Sequence, residues 1–297
     1  MSDQIIHMLM QKVELSNLIK DISTWTELEH RMAALSSEQE RGEAFEQFCH
    51  CFFLLDAVFQ FETVYRHYEI PPSLRERLGY PGIQDIGIDG LAVTADGKLF
   101  AYQAKFRKDP DNTPTLRELS TFFTMSDKAD WRITITNAKK LHSSINDRTR
   151  NSRVLIDRLD GLTPDFFERL RAYLQEQSVP PQQKKTPNKT QQEAIDSASD
   201  YFGDNARGQL ILPCGTGKTL VSMWIAEKLR GRRILVMVPS LALMSQSLRE
   251  WAANTSISPF KYLCLCSDTT VDLANDSPVE HLYEMDVPVT TDVETAA

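Results

Sequence analysis

Between residues 85 and 107 the sequence runs Asp85-Ile-Gly87-Ile-Asp89-Gly90, then Ala95-Asp96-Gly97, then Gln103-Ala104-Lys105. Carboxylates, an amide and an ammonium group at every second position suit the hydrolysis of a phosphodiester. A hard cation held by oxygen donors polarises the phosphate and lowers the pKa of an attacking water. Mg2+ keeps several of its own waters, so one or two carboxylates and a carbonyl suffice to hold it. Asp89 would be the main ligand, with Asp85 and the Gln103 side-chain oxygen beside it, and the Ala104 carbonyl could add to them. Lys105, on the same face, would orient the water or stabilise charge developing on phosphate. The plainer alternative is a solvent-facing polar strand with a cross-strand charge pair.

A second constellation is Pro213-Cys214-Gly215-Thr216-Gly217-Lys218-Thr219. A glycine-rich turn at a helix start points backbone N–H groups at a phosphate, where the helix dipole also favours negative charge. Lys218 would reach the β- and γ-phosphates of ATP, and the Thr219 hydroxyl would bind Mg2+. Leu212 stands where the strict pattern has glycine.

Both constellations need particular elements to position them. The turn signal at 95–97, with Gly97 left-handed, pairs Thr94 with Lys98, so partners sum to 192 and Asp89 falls opposite Gln103. Strands are expected over 85–94 and 98–106. Their period of two puts Asp85, Gly87, Asp89, Gln103, Lys105 and Arg107 on one face and Ile86, Ile88, Ala92, Phe100, Tyr102, Ala104 and Phe106 on the other. Upstream, Ser37-x-x-Glu40 is a capping box, and Phe45, Phe48, Phe52 and Leu55 recur at helical spacing behind it. Further helices are expected near 114–125 and 164–175, with a strand at Trp131–Thr136. Around the phosphate loop, Gly208–Pro213 and Arg233–Val238 read as buried strands flanking a helix from Gly217 to Arg230, a parallel βαβ unit.

The chain has 297 residues, of which 41% are apolar and 25% charged, the balance of a globular protein of two domains. Residues 175–189, rich in Pro, Gln and Lys, read as a linker. The expected organisation is a domain over 1–175, a linker over 176–189 and a second domain over 190–297. No apolar run is long enough to span a membrane, no secretory leader is visible, and five cysteines without CxxC pairing fit a reducing cytoplasm. Net charge is −8, yet residues 98–158 hold 13 Lys/Arg against 7 Asp/Glu, a net of +6, while residues 260–297 hold 1 against 8, a net of −7. A basic middle permits DNA binding by one face. Cys49-His50-Cys51 is no metal pair, because residues two apart on a helix point to nearly opposite sides. Arg148, Arg150 and Arg153 are candidates for holding phosphates or for plain surface charge.

The run Gly42-x-x-Phe45-Glu46, Asp85-x-Gly87-x-Asp89-Gly90 and Gln103-x-Lys105 resembles the Mrr-like branch of the PD-(D/E)xK nucleases, in which glutamine replaces the acidic residue before x-Lys. The resemblance covers residues 36–140. It implies a restriction-endonuclease-like mixed sheet, Mg2+-dependent cleavage of double-stranded DNA, a catalytic core at Asp89, Gln103 and Lys105, and an accessory helix acid at Glu46; Asp85 also fits the motif. The second half resembles the start of a superfamily 2 helicase or translocase, an incomplete RecA-like parallel α/β domain. There Gln191 would read adenine beside the loop of Gly215, Thr216, Gly217, Lys218 and Thr219. Val238-Pro239-Ser240-Leu241 through Trp251 resembles a backbone-touching nucleic-acid motif, and Val289–Asp292 the approach to the next. No DExH or DExD box follows, so ATP binding without efficient turnover is expected. Together the halves resemble the front of ATP-dependent restriction-modification enzymes, notably type ISP, with the rest of the motor, a methyltransferase and target-recognition domains downstream. Two rivals are a non-cleaving DNA clamp on a remodelling motor and a repair or recombination nuclease.

Overall fold

The computed structural model describes residues 15–80, 82, 87–146, 150–265, 287 and 289–290. The chain divides into two compact units, with the main break between Pro181 and Gln182.

The first unit is built on a five-stranded mixed sheet in the order β1-β2-β3-β4-β5. These strands are Thr63–Arg66, Gly90–Val93, Leu99–Lys105, Trp131–Thr136 and Asn151–Val154. β1, β2 and β3 pair antiparallel, and β3, β4 and β5 pair parallel. The turn between β2 and β3 forms as its residues dictate: Gly97 has φ +79 and the Thr94 N–H donates to the Lys98 carbonyl at 3.1 Å.

Helix α1 (Trp25–Ala33) and helix α2 (Glu38–Leu55) each start at a capping box, Thr24 with Glu27 and Ser37 with Glu40. In α2 the Ser37 hydroxyl accepts from the Glu40 N–H at 3.0 Å, satisfying a donor that the helix itself cannot. Phe45, Phe48, Phe52 and Leu55 are all buried, as their spacing requires. Fully burying one such phenylalanine contributes about 1.5–3 kcal/mol, so this stripe anchors α2 firmly against the sheet. Phe53 packs on Tyr102 with ring centroids 4.8 Å apart, and Phe61 on Phe100 at 5.1 Å. A separate core cluster joins Leu91, Leu99 and Ala101 to Leu119, Phe122 and Phe123 of a helix over Leu116–Met125. The sheet is therefore covered by helix on both faces. Beyond β3, the buried Asn137 accepts from the Arg107 N–H at 2.6 Å and donates to the Arg107 carbonyl at 2.7 Å, tying the exit of β3 to that of β4.

The second unit holds helices over Lys189–Asp204, Lys218–Lys228 and Leu241–Asn254. Leu220, Met223 and Trp251 form a small core cluster between the latter two. The expected βαβ unit is corrected here. Among the described residues Gly208–Pro213 and Arg233–Val238 take part in no ladder, with Ile211, Leu235 and Met237 each at least 80% exposed. Among the described residues, the unit's only ladder is the two-stranded pair Cys264–Leu265 with Val289–Thr290. A buried parallel strand needs strands beside it and helices over both faces, and neither run finds them here. Apolar composition marks a segment that could serve as a buried strand, but composition supplies no ladder partner.

Candidate functional site

The polar end of the β2–β3 hairpin departs from the simple alternation in one place. The register holds at a sum of 192 from Val93–Leu99 to Gly90–Tyr102. At Asp89, however, the N–H also donates to the Tyr102 carbonyl, at 3.0 Å. Asp89 and Gly90 thus both stand against Tyr102, the two-against-one count of a β-bulge, which re-aims a side chain and ends regular pairing. The expectation that Asp89 lies directly opposite Gln103 is corrected by this slip. The Asp89 carboxylate instead accepts the N–H of Ala104 at 2.7 Å, so it sits against the peptide group joining Gln103 to Ala104. The Asp89 carbonyl accepts from the His67 N–H at 2.9 Å, which anchors the bulge to the end of β1.

Glu46 lies one turn before Cys49 on α2. Burial first, and then the negative charges of Asp89 and Glu46, push the Cys49 thiol well above its ordinary range. Tyr102 is raised mainly by burial, and again both carboxylates add to it while Arg66 opposes them. Two acidic groups from distant parts of the chain therefore act on one buried pair. Cys49 is packed in the core, as expected.

Gln103 is 3% exposed, and its Oε1 has no hydrogen-bond partner among the described residues. Its Nε2 lies 3.5 Å from where a Cβ on Gly87 would stand, and Gly87 has φ +72, a backbone shape that side chains resist. Lys105 is half-buried at the end of β3, and its carbonyl accepts from the Thr136 hydroxyl at 2.5 Å. Asp85 lies outside the described residues. Among those described, no three His, Cys, Asp or Glu side chains converge as a metal site would. A cation here would be held by Asp89 together with the amide oxygen of Gln103. The residues fit that role, since the amide oxygen is buried without a partner and a hard divalent ion takes oxygen donors.

Gly90 belongs to the quoted motif, but spacing gives no reason for a glycine there. A Cβ at this position would lie 2.1 Å from the Tyr102 hydroxyl oxygen, so the Asp-Gly dipeptide is needed for close approach rather than for a turn. Of the three arginines considered for phosphate, two are described. Arg150 donates to the carbonyls of Ala129 and Asp127, Arg153 is buried, and Arg148 lies outside the described residues.

In the second unit, Gly215 and Gly217 have φ +78 and +75, and the helix begins at Lys218. Gln191 donates from Nε2 to the Thr216 carbonyl at 2.9 Å, bringing the upstream glutamine onto the loop. The Lys218 ammonium and the Thr216 hydroxyl both donate to the Pro213 carbonyl, each at 2.8 Å. The loop is thus curled on itself, with its lysine folded back. The Thr219 carbonyl accepts from the Trp251 indole at 3.0 Å, which pins the loop's exit to the helix over Leu241–Asn254. Thr291 and Asp292 lie outside the described residues.

Among known proteins, residues 184–277 match the family described as "Type III restriction enzyme, res subunit". No curated protein sequence matches the chain. Among solved structures, the fold is similar to that of the "ATP-dependent Type ISP restriction-modification enzyme LlaBIII bound to DNA", with a TM-score of 0.56 and 22% identity. That similarity covers 77% of this chain and 14% of the other, so this chain spans about a seventh of that protein's length. Among the described residues, no helix is long and apolar enough to cross a membrane.

Proposed function

We propose that this chain is the front part of an ATP-dependent restriction enzyme, with a DNA-cleaving first unit and an ATP-binding second unit. The observation that carries the cleavage reading is the bulge at Asp89. It sets a carboxylate against the Gln103–Ala104 peptide, one residue before Lys105, in the strand whose Gln103 carries a buried, unpaired amide oxygen. Mg2+ bound there would polarise the scissile phosphate and lower the pKa of the attacking water. Asp89 and Gln103 hold oxygen atoms toward the ion, Glu46 adds negative charge from α2, and Lys105 offers positive charge to the phosphate. In the second unit the Gly215–Thr219 loop cradles the phosphates of ATP, with Gln191 at its side. The match of this region to a type III restriction subunit and the likeness of 77% of the chain to part of a DNA-bound type ISP enzyme support the reading.

A non-cleaving DNA clamp is the second reading, and the lack of three converging acidic or histidine ligands among the described residues favours it. Cleavage of plasmid and linear duplex in Mg2+ or Mn2+ separates the two. The nuclease reading expects cutting that disappears in Asp89→Ala and Lys105→Ala while ATP binding survives. Cutting that persists in Lys105→Ala would refute the site assignment. DNA binding without cutting, indifferent to Asp89→Ala in the full-length polypeptide, would establish the clamp.

A further inference from the structure

The phosphate loop of the second unit has little beneath it. Pro213, Cys214, Gly215 and Lys218 are exposed, and the run before them, Gly208–Pro213, joins no ladder among the described residues. At the start of the helix over Lys218–Lys228 the Gly217 carbonyl accepts from the N–H groups of Leu220 and Val221, each at 3.0 Å. The N–H groups of Lys218 and Thr219 precede the first helical bond, so they are the ones available to a phosphate. Their direction is set by whatever holds this first turn.

Support comes from Trp251. Its indole N–H donates to the Thr219 carbonyl at 3.0 Å, and its ring, 7% exposed, packs with Leu220 and Met223. A carbonyl oxygen has two lone pairs, so this bond does not compete with the helix's own ladder. The indole also has a firm mount. In the last turn of the helix over Leu241–Asn254, the buried Asn254 accepts the Lys185 N–H at 2.9 Å, and Glu250 pairs with the Lys185 ammonium at 3.1 Å. Just beyond, the Thr255 hydroxyl and the Ser256 N–H both donate to Glu227 Oε1 at 2.6 Å. That clip fixes the far end of the helix over Lys218–Lys228, and the indole fixes its phosphate end.

We propose that Trp251 is a positioning residue for the phosphate loop. Acting through Thr219, its hydrogen bond holds the first helical turn in place before ATP arrives, so that binding does not have to order it. The inference rests on the ATP-binding reading above.

The test is binding of ATP with Mg2+ to the full chain by titration calorimetry, alongside thermal unfolding of each nucleotide-free variant. Lys218→Ala defines the component of binding that belongs to the loop. Trp251→Phe keeps an aromatic ring in the core and removes the N–H. Trp224→Phe trims a second indole packed on the same cluster, and so reports what core damage alone does to binding. The expected result is about a three- to tenfold loss of ATP affinity in Trp251→Phe, the worth of one hydrogen bond, with Trp224→Phe within about twofold of the parent protein. The chain has four tryptophans, and the indole N–H resonance missing from Trp251→Phe identifies Trp251 in a heteronuclear spectrum. That resonance should shift when the parent protein is saturated with ATP and Mg2+. Unchanged affinity in Trp251→Phe, equal losses in both variants, or an unmoved Trp251 resonance at saturation would overturn the assignment of Trp251 while leaving the nucleotide site standing. No binding by the parent protein, or unchanged binding in Lys218→Ala, would overturn the nucleotide site itself, and this inference with it.

Discussion

Replacing Gly90 by alanine puts a methyl carbon 2.1 Å from the Tyr102 hydroxyl oxygen, 2.2 Å from the ring carbon bearing it and 2.5 Å from the next. Ordinary contacts begin at 3.4 Å, so the ring or the strand has to retreat by more than an ångström. Neither has room. Tyr102 is 1% exposed and packs on Phe53, while Gly90 is held between β1 and β3. Overpacking a filled core costs about 1–3 kcal/mol, and an overlap of this size belongs at the upper end. Alanine regains roughly 0.5–1 kcal/mol of backbone entropy relative to glycine, leaving a net loss of about 2 kcal/mol. Guanidinium unfolding followed by tryptophan fluorescence measures it. The same substitution in a Tyr102→Leu background should cost less than about 0.5 kcal/mol, because leucine lacks the offending atoms and the two sites are coupled. Equal losses in both backgrounds, or no loss in either, would refute the close-approach account of Gly90. Retreat of the strand also moves the neighbouring Asp89, so Mn2+ binding at the bulge should weaken in Gly90→Ala and recover in the double variant.

Asp56 and Arg158 form an ion pair whose side chains are 8% and 9% exposed, with the guanidinium also over the Phe52 ring. Arg158→Met strands a buried carboxylate and should cost about 3–5 kcal/mol in chemical denaturation. Gly217→Ala should weaken ATP binding at least tenfold by titration calorimetry, because φ is +75 and the added carbon would lie 2.8 Å from Gln191 Nε2. Lys218→Ala should weaken ATP binding similarly without lowering Tm, since its ammonium contacts only an exposed loop carbonyl. Burial raises the Glu118 carboxyl, but the Thr115 N–H and hydroxyl and the Arg107 guanidinium outweigh it and hold the group below 4.5. Because the folded-state value lies below the unfolded one, this contribution is present above pH 4.5 and is lost as pH falls through the folded-state value. Glu118→Gln should therefore lower Tm at neutral pH, and the gap to the parent protein should close in acid.

Local chemistry made much of this protein legible in its sequence. The capping box at Ser37, the phenylalanine stripe behind it, the turn at Gly97, the strand at Trp131–Thr136 and the glycine geometry of the 213–219 loop all follow from interactions within a few residues. Even the hairpin register followed, since a turn fixes the pairing of the strands it joins. Tertiary structure alone decided the rest. The bulge at Asp89 depends on how β1 and Tyr102 compete for backbone groups, and period-two counting carries no term for an extra residue. The need for glycine at position 90 comes from a ring twelve residues away, and the pairing of Gln103 with Thr134 from a parallel ladder closed through an intervening helix. The runs Gly208–Pro213 and Arg233–Val238 show the converse. Apolar, β-branched composition marks a segment fit to be a buried strand, but a strand exists only where another backbone offers its hydrogen bonds.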